Sequence, residues 1–292
     1  MAKKRRGRRH VRWGRVFFAF FLFCVLIVSA VVASAYYYID YRSKHDENVY
    51  IAIIGVDGRI EDQVGQRSDT TMLVKVSYKT STVEMISLPR DSLVSIPCED
   101  GENDKITHAF HYGGKQCVIE SLEGVFEIKE IKNYVVVNFN KLISLVDELG
   151  GITLRPSKTF CEYNVKKTEQ YCFEKGVKTE LNGEYALAYA RHRKSDNDIY
   201  RTQRQQEILM AMVTRVKTLE PWDVYKFSQK VLAELDTNIT LLDAVIDYKM
   251  ATNEEFKLVK TQAEGSDYYY EGVYYYKLDK EWLNGIIDRI KE

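Results

Sequence analysis

Apolar runs in the first part of the chain body predict β-strands. Val49–Val56 is almost continuously apolar and ends at a turn, which is the pattern of a buried central strand. Two further runs, Thr71–Tyr78 and Val83–Leu88, are separated by a short polar turn and predict an antiparallel hairpin. Apolar residues at helical spacing predict a helix over Cys117–Ile128, and Tyr134–Phe139 returns to the pattern of a strand. Strands therefore alternate with helices in this part of the chain.

The second part of the body is predicted to be mostly helical. Asn140 is expected to cap a helix that Gly150-Gly151 ends. Apolar residues at helical spacing then predict helices over 182–190, 199–219, 222–235 and 241–251, and a final amphipathic helix begins at Lys280. This order predicts an α/β fold, an α-β-α sandwich whose central mixed sheet is flanked by helices, with no second domain.

A run of tyrosines over 268–276 interrupts this helical region. The run is divided by Glu271-Gly272, which predicts a β-hairpin. Aromatic side chains are favoured in strands, so packing is the preferred interpretation of these tyrosines. A ligand groove lined by their rings is the alternative.

An uncharged apolar segment over 16–38 precedes the body. At about 1.5 Å per helical residue it would reach about 35 Å, which spans a bilayer core of about 30 Å. We predict a basic cytoplasmic tail over 1–15, a single-pass signal anchor over 16–38, a linker over 39–48 and an extracellular domain over 49–292 at the cell membrane. A cleaved signal peptide is the alternative, because Ala33-Ser34-Ala35 has the small-x-small pattern, but the apolar run is longer than that of most signal peptides.

The charge distribution supports this orientation. The chain has 42 Lys and Arg against 42 Asp and Glu, but eight of the basic residues lie in the first fifteen positions and none of the acidic ones precedes Asp40. The positive-inside rule therefore places the N-terminus in the cytoplasm. The rest of the chain has 34 basic and 42 acidic residues, a net charge of −8. Such an acidic body argues against nucleic acid as a partner, since phosphates attract a basic face.

Four cysteines lie in the body, whereas Cys24 lies in the apolar segment. An even number of cysteines in an extracytoplasmic domain is typical of disulfides. Of three possible connectivities we favour Cys98–Cys117 and Cys161–Cys172, because each would close a segment that lacks periodic apolar residues. Four free thiols are the alternative, because a disulfide requires close Cα atoms that a sequence does not reveal.

Two aspartates lie where strands begin or end. Asp57 follows the first predicted strand and Asp69 precedes the second, so both could meet at one edge of the sheet. Ligand groups of open α/β sheets lie at such strand ends. Two carboxylates with hydroxyl groups nearby suit Mg²⁺, with Mn²⁺ as a second possibility. Turn and capping residues are the alternative interpretation.

A cationic cluster follows in an otherwise acidic body. Its members are Arg191, Arg193, Lys194, Arg201 and Arg204. Arginine matches phosphate oxygens bidentately, so a cluster of arginines suits a diphosphate. Asp198, Arg201 and Gln205 share one face of the predicted helix, and the helix N-terminus favours an anion. A solvated charged helix face is the alternative, and it is less favoured because Arg67 and Arg90 also adjoin strand-like runs.

Motif absences narrow the possible chemistry further. The sequence contains none of the motifs GxGxxG, GxxxxGK[ST], HExxH or GxSxG, so dinucleotide, P-loop, zincin and hydrolase-elbow sites lack their signatures.

Seven ordered motifs carry a resemblance to a known family. They are IIGVDGR, QRSDTTMLV, MISLPRDS, DKITHAFHYGG, VVVNFNKLISLVDELGGI, LNGEYALAYARHR and DIYRTQRQQEIL. As a set they make the chain resemble the LytR-CpsA-Psr (LCP) family of cell-wall glycopolymer ligases over about residues 50–216. The resemblance implies Mg-dependent transfer of a glycopolymer, such as teichoic acid or capsule, from an undecaprenyl-diphosphate carrier to a peptidoglycan hydroxyl. The four cysteines of the body are not part of the family's common pattern.

The resemblance also implies roles for individual residues. Asp57 and Asp69 would bind the metal, and Asp198 would orient the arginines or accept a proton. The diphosphate and its leaving group would be held by Arg67, Arg90, Lys105, Arg191, Arg193, Arg201 and Gln205. Of these residues Arg90, Asp198 and Arg201 are the catalytic candidates. The apolar helix faces after Ile199 would form part of a lipid-tail pocket, and the alternative is ordinary core.

Three questions of function stay open from the sequence. An acceptor hydroxyl needs a base within reach, and both Asp57 and Asp198 are candidates. Two rival activities are a polyprenyl-diphosphate hydrolase, which would use water as acceptor, and a non-catalytic envelope protein that binds lipid. The identity of the glycopolymer is the third.

Overall fold

The computed structural model describes residues 48–56, 66–192 and 198–292, together with the isolated residues 29, 34, 37, 38, 40 and 41. The chain divides into two units, Met1–His45 and Asp46–Glu292, and the second contains every element that follows. The predicted tail over 1–15 and anchor over 16–38 lie outside the described residues, apart from isolated positions of the anchor. Across the described ranges, no helix has both the length and the apolar character that a membrane crossing requires.

The elements follow one another along the chain as strands and helices. The strands are β1 (Val49–Val56), β2 (Ser68–Ser77), β3 (Thr82–Leu88), β4 (Leu93–Ser95), β5 (Asn103–Lys105), β6 (Asn133–Asn138), β7 (Ile152–Leu154), β8 (Phe160–Tyr163), β9 (Gln170–Phe173), β10 (Thr179–Leu181), β11 (Asp236–Thr237), β12 (Lys257–Gln262), β13 (Gly265–Tyr270) and β14 (Val273–Leu278). The helices are α1 (Ile106–Phe126), α2 (Phe139–Glu148), α3 (Gly183–Arg191), α4 (Asp198–Val216), α5 (Pro221–Glu234), α6 (Leu241–Ala251) and α7 (Lys280–Lys291).

A six-stranded mixed sheet lies at the centre, in the order β11-β6-β1-β2-β3-β12. The pairs β1–β2, β2–β3 and β11–β6 are antiparallel, whereas β1–β6 and β3–β12 are parallel. Helices α1 and α7 pack on one face of the sheet, and α4, α5 and α6 lie over the other. This arrangement confirms the predicted mixed sheet flanked by helices, including the hairpin formed by β2 and β3.

Strand β1 shows why the sequence of a central strand is an unbroken run of apolar residues. Ala52 and Ile54 point into the core beneath α1 and are fully buried. Their neighbour Ile53 points to the opposite face, toward α4. Because successive side chains of a strand alternate between faces, a strand that is covered on both sides is apolar at every position.

Two predicted helix boundaries are wrong. Helix α1 begins at Ile106, well before Cys117, and its backbone is non-helical at Gly113 and Gly114, which break the apolar spacing in the sequence. Helix α2 begins at Phe139, and its cap is Asn138, whose side chain accepts a hydrogen bond from the backbone N–H of Lys141. Asn140 therefore lies inside the helix, because the extended backbone that a cap requires occurs two residues earlier.

The helices of the second half and the tyrosine hairpin agree closely with the predictions. Asn182 caps α3, Pro221 occupies the first turn of α5, and the turn of the hairpin β13–β14 lies at Glu271-Gly272. The sequence predictions missed the short pairs β4–β5, β7–β10 and β8–β9, because strands of three or four residues with exposed alternate positions leave a weak pattern.

The structure joins Cys98 to Cys117 and Cys161 to Cys172, which is the favoured pairing. The reason given for it was partly wrong. Cys117 lies inside α1 and is buried in the core, and Cys161 pairs directly with Cys172 across β8 and β9. The first disulfide therefore ties a surface loop to the core, and the second closes a β-hairpin.

Candidate active site

Asp69 lies at an irregularity in the pairing of β1 with β2. Gly55 pairs with Thr70 and Val56 pairs with Ser68, so Asp69 is the extra residue of a β-bulge. A Cβ atom on Gly55 would lie 2.8 Å from the Thr70 side chain, so only glycine allows this close approach. The bulge sits at the end of β1, where it directs the Asp69 carboxylate into the site.

Two arginines converge on Asp69. The Nη1 atom of Arg90 donates a hydrogen bond to Asp69 Oδ1 at 2.9 Å. The Nη2 atom of Arg201 donates to the backbone oxygen of Asp69 at 2.8 Å, and its Nη1 lies 3.9 Å from Oδ1. The Arg201 side chain is only 4% exposed, whereas those of Arg90 and Asp69 remain about a quarter exposed. A strand, a loop and the first turn of α4 thus meet at one carboxylate.

A second carboxylate extends the cluster, and the sequence predictions did not single it out. Asp91 Oδ1 lies 2.9 Å from Lys105 Nζ, and its Oδ2 lies 3.6 Å from Arg90 Nε. The available signal was its position next to Arg90 in the LPRDS motif. With Asp69 and Asp91 against the cations of Arg90, Lys105 and Arg201, the cluster keeps a net positive charge, which favours an anionic ligand.

Two further predicted residues join the same site. Arg191 ends α3, with its guanidinium carbon 5.4 Å from the centroid of the Phe139 ring. Arg191 Nη1 and Gln205 Oε1 are buried polar atoms without a hydrogen-bond partner among the residues that the structure describes. Both residues line one cavity with Asp69 and Arg201. Because buried polar groups normally have partners, these two atoms indicate a polar ligand at the mouth of that cavity.

Behind the charged groups the cavity is apolar and has a volume of about 360 Å³. Its apolar wall comes from β1, β6, α2, α3 and α4 and includes Ile53, Val137, Phe139, Leu142, Leu145, Leu187, Ile208, Leu209 and Met212. A second apolar cavity of about 380 Å³ lies between the sheet and helices α4, α5 and α6. Ile53, Leu209 and Met212 line both cavities, so the two adjoin each other along α4.

This combination of motifs and geometry can be compared with known proteins. The profile of the LytR_cpsA_psr family matches residues 29–292. The chain belongs to the LytR-CpsA-Psr family. Its relatives include the polyisoprenyl-teichoic acid–peptidoglycan teichoic acid transferase TagT of Bacillus subtilis (strain 168), which is 30% identical over 313 residues, 97% of this chain and 95% of the relative.

Solved LytR-CpsA-Psr structures share the fold. The crystal structure of B. subtilis TagV matches with a TM-score of 0.76 at 28% identity and covers 85% of this chain and 97% of its own. A structure of the family protein YwtF (TagT) with bound octaprenyl pyrophosphate lipid matches with a TM-score of 0.65 at 28% identity, over 84% of this chain and 90% of that protein.

The predicted site residues of this LytR-CpsA-Psr protein fall into three groups. Asp69, Arg90, Lys105, Arg191, Arg201 and Gln205 come together at the cavity mouth or in the ion pairs beside it. Arg67 is exposed just before β2 and does not line the cavity. Asp57, Arg193, Lys194 and the side chain of Asp198 lie outside the described residues.

The remaining arginine of the predicted cluster has a structural position. Arg204 is 1% exposed, and its Nη2 donates to the backbone oxygen of His192. The centroid of the Phe160 ring lies 4.2 Å from the centroid of the His192 ring and 5.1 Å from the guanidinium carbon of Arg204. Glu162 Oε2 lies 2.9 Å from His192 Nδ1. The disulfide-closed hairpin β8–β9 therefore holds the end of α3, and Val165 in its turn lines the cavity.

The carboxylate oxygens of Asp69 can be compared with the ligands that a divalent cation requires. Asp69 Oδ1 accepts a hydrogen bond from Arg90 and lies 3.9 Å from Arg201 Nη1. The described part of the chain contains no group of three or more His, Cys, Asp or Glu side chains placed to hold a metal. Mg²⁺ commonly takes one or two carboxylates and completes its shell with water and substrate phosphates. Asp69 therefore fits such a cation when a phosphate ligand supplies further oxygens.

Proposed function

We propose that this LytR-CpsA-Psr protein is a transferase that moves a glycopolymer from a polyprenyl-diphosphate carrier to a hydroxyl group of peptidoglycan. The observation that carries the proposal is the junction of a net positive mouth with apolar cavities that continue beneath the sheet. A ligand with an anionic head and a long apolar tail complements both parts. Relatives named as teichoic acid transferases, and a solved relative with octaprenyl pyrophosphate, support the same chemistry.

The tail of the carrier would lie against α4. The shared walls at Ile53, Leu209 and Met212 give an apolar route from the first cavity to the second. An undecaprenyl chain, which carries no polar group, gains free energy by leaving water for such a surface. The diphosphate would then remain at the mouth, beside Arg191, Arg201 and Gln205.

The reaction would exchange the phosphoanhydride bond of the diphosphate for a phosphoester bond to the acceptor. The acceptor hydroxyl oxygen attacks the phosphorus nearest the sugar, and a new P–O bond forms as the bond to the bridging oxygen breaks. The lipid monophosphate leaves, and the hydroxyl proton passes to a base. Charge increases on the bridging oxygen, so guanidinium groups held in place stabilise the transition state. Asp69 positions two of them, those of Arg90 and Arg201.

A magnesium ion is part of this proposal. Asp69 would hold it, with Asp57 as a second carboxylate, and the bound ion would neutralise charge on the diphosphate. Mn²⁺ takes the same kinds of ligand and could replace it. Asp57 and Asp198 both remain candidates for the base.

Membrane attachment completes the proposal. Residues 16–38 would anchor the enzyme in the cell membrane with the N-terminus in the cytoplasm. The body outside the cell would then share the membrane surface with the lipid carrier, which raises the effective concentration of donor. The two disulfides of the body are consistent with an oxidising compartment.

The test is transfer of a lipid-linked polymer to peptidoglycan fragments. We expect Arg90→Ala and Arg201→Ala each to lower the transfer rate by at least about 100-fold, because each removes charge stabilisation from the transition state. Arg155→Ala is the matched control, since that arginine is exposed and donates only to the backbone oxygen of Gly176.

A loss of activity through misfolding must be separated from a loss of chemistry. Arg201 is buried, so thermal unfolding of Arg201→Ala and the charge-preserving Arg201→Lys should be compared with the parent. Transfer at the parent rate by both alanine variants would overturn the proposal. Release of lipid phosphate at equal rates with and without peptidoglycan would instead indicate a hydrolase, and an Asp69→Asn variant with unchanged physiology would indicate a lipid-binding protein.

A further inference from the structure

The tyrosine hairpin β13–β14 lies directly against the charged site. The backbone N–H of Tyr276 donates to the backbone oxygen of Asp91 at 2.8 Å, and Tyr276 forms a parallel bridge with Ser92. Lys105 Nζ, which binds the Asp91 carboxylate, lies 5.6 Å from the centroid of the Tyr275 ring and 5.9 Å from that of Tyr274. The hairpin and the site that holds Arg90 therefore share Asp91 and Lys105.

One face of this hairpin combines aromatic rings with a carboxylate. Asp267 pairs with Tyr276 and Tyr269 pairs with Tyr274, so these four side chains share a face. The Tyr269 ring packs edge-on against Tyr274 with centroids 5.5 Å apart, and the Tyr274 hydroxyl donates to Asp267 Oδ1 at 2.9 Å. We call Asp267, Tyr269 and Tyr274 the tyrosine platform.

The packing interpretation holds for part of the hairpin's tyrosines, since Tyr268, Tyr274 and Tyr275 are half-buried, but it does not hold for the exposed ones. Only Tyr276 is buried in the core, where it adjoins Ile286 and Ile290. Tyr269 is 67% exposed and Tyr270 is 56% exposed. Tyr270 points to the other face of the hairpin, so on the platform face the exposed ring of Tyr269 lies beside Tyr274 and the Asp267 carboxylate, where a partner could reach all three.

The electrostatic surroundings of Tyr274 connect the platform with the site. Burial, the hydrogen bond to Asp267 and the charge of Asp91 together raise the pKa of the Tyr274 hydroxyl above its ordinary value. Asp91 is also the carboxylate that holds Arg90 and Lys105. Because Lys105 Nζ lies 5.9 Å from the centroid of the Tyr274 ring and binds Asp91, a chain of sugars bound along the platform would continue toward the charged site.

The chemistry of the platform matches a glycan. A pyranose ring presents C–H groups on its faces and hydroxyl groups at its rim. The negative faces of the tyrosine rings attract the C–H groups, and the Asp267 carboxylate accepts hydrogen bonds from the rim. We propose that the tyrosine platform binds the glycan strand of the acceptor and so places its hydroxyl beside Arg90. This inference rests on the proposed transfer to peptidoglycan.

A membrane surface is the other partner that exposed aromatic residues can serve. The hairpin carries Glu271 at its turn and Asp267 on the platform, with Glu264 and Asp279 at its base. Lys277 Nζ lies 5.3 Å from the centroid of the Tyr268 ring, but the four carboxylates outnumber it and would repel anionic lipid headgroups. The charge of the hairpin therefore favours the glycan.

The test varies the acceptor concentration with the full-length protein in detergent micelles, using muramidase-released glycan fragments as acceptor. We expect Tyr269→Ala to raise the acceptor KM about tenfold, with kcat within about twofold of the parent, because an exposed ring contributes binding and takes no part in bond making. Tyr269→Phe keeps the ring and should stay within about twofold of the parent KM. Trp222→Ala is the matched control, because Trp222 is 64% exposed and stacks on Tyr225 in α5, away from the site.

A second measurement separates this inference from the proposed function. Cosedimentation with intact peptidoglycan sacculi needs no donor, and Tyr269→Ala should lower the bound fraction there as well. If the parent transfers no polymer but Tyr269→Ala still weakens sacculus binding, the proposed function fails and the platform stands. If Arg90→Ala abolishes transfer while Tyr269→Ala leaves acceptor KM and sacculus binding unchanged, the platform is wrong and the function stands. If Tyr269→Ala weakened binding to phosphatidylglycerol vesicles but not to sacculi, the glycan proposal would be overturned in favour of a membrane contact.

Discussion

Both faces of the central sheet carry apolar side chains, yet the face beneath α1 is filled and the face beneath α4, α5 and α6 is hollow. Beneath α1, the side chains of Ile54, Leu73 and Ile86 are fully buried in one core cluster with Phe126, and an open groove lies beside this cluster between α7 and the end of β12. Beneath α4, α5 and α6, the neighbouring residue Ile53 borders two cavities of about 360 and 380 Å³. We call these the filled face and the hollow face.

The difference between the faces indicates where stability and where ligand binding reside. Protein interiors usually pack as tightly as organic crystals, with few voids larger than a water molecule. Close packing on one face shows that the helices of this domain can pack tightly against the sheet. Open apolar space on the other face is therefore a property of that face, and it suits an apolar ligand such as the proposed lipid tail.

The largest expected effect is a truncation on the filled face. Phe126→Ala should lower the free energy of unfolding by about 3 to 5 kcal/mol, because the fully buried ring leaves a cavity in a close-packed core. Phe227→Ala on the hollow face is the comparison variant, and it should lower that free energy by less than half as much, since the Phe227 ring is only half-buried and borders open space. Denaturant unfolding measures both, and equal losses would contradict the contrast.

Removal of each disulfide should sharpen the comparison. The disulfides Cys98–Cys117 and Cys161–Cys172 join residues that are 19 and 11 positions apart. Each should contribute about 3 kcal/mol to the free energy of unfolding, because it lowers the entropy of the unfolded chain. Transfer should fall only in Cys161→Ala/Cys172→Ala, because that hairpin holds His192 and brings Val165 to the cavity. Unfolding and transfer rates of both double variants test this, and loss of transfer in Cys98→Ala/Cys117→Ala at temperatures where it is folded would refute it.

Filling the hollow face should separate binding from folding. Leu209→Trp should weaken binding of a polyprenyl diphosphate by at least about tenfold, because Leu209 lines both cavities and a larger ring would occupy the lipid route. Stability should change by less than about 1 kcal/mol, whereas Ala52→Leu on the filled face should be destabilising by about 1 to 3 kcal/mol through overpacking. Fluorescence titration measures the lipid affinity, and unfolding curves measure the stability. An undiminished lipid affinity of Leu209→Trp would contradict the lipid route.

The smallest effect concerns pH at the edge of the filled face. Burial opposes ionisation of Asp104, but hydrogen bonds from His108 and from the backbone N–H of Lys105 outweigh it and lower the pKa of the Asp104 carboxyl. A carboxyl with a lowered pKa stabilises the fold above its unfolded pKa of about 4, and this contribution is lost as the pH falls through the folded value.

Asp104→Asn should therefore be less stable than the parent at pH 7, by under about 1 kcal/mol because the pair is partly exposed. The difference should shrink as the pH falls from about 4, where the unfolded carboxyl takes up a proton, through the lowered pKa of the folded carboxyl. Urea unfolding at several pH values measures it, and a gap that stays constant down to acid pH would contradict the assignment.

Much of the fold could be predicted from residues that act locally. The unbroken apolar run of β1 indicated a strand covered on both faces, helical spacing located α3, α4, α5 and α6 within about three residues of their observed bounds, and Glu271-Gly272 marked a hairpin turn at its observed position. The start of α1 was missed because Gly113 and Gly114 break the helical period. Local signals describe an element well only while its backbone stays regular.

The site was predictable in its residue types and less so in its arrangement. Clustered arginines and strand-end aspartates indicated phosphate chemistry, and Asp69, Arg90, Arg191, Arg201 and Gln205 do come together. Asp91 was overlooked and Arg204 proved to be structural, because the difference between holding a ligand and holding a backbone oxygen depends on which distant element lies opposite.

The sequence by itself determined the class of fold, the order of most helices and of strands β1, β2, β3 and β6, and the family to which the chain belongs, since these follow from local periodicity and ordered motifs. It favoured the cysteine pairing that the structure shows, but whether the Cα atoms lie close enough was decided by the tertiary structure. Only the tertiary structure decided that one face of the sheet is filled and the other hollow, and that the tyrosine hairpin is exposed beside Asp91. The pattern of apolar residues in a sequence indicates which side chains are buried away from water. The volume left between two packed elements depends on how distant side chains fit together, and no local pattern contains that fit.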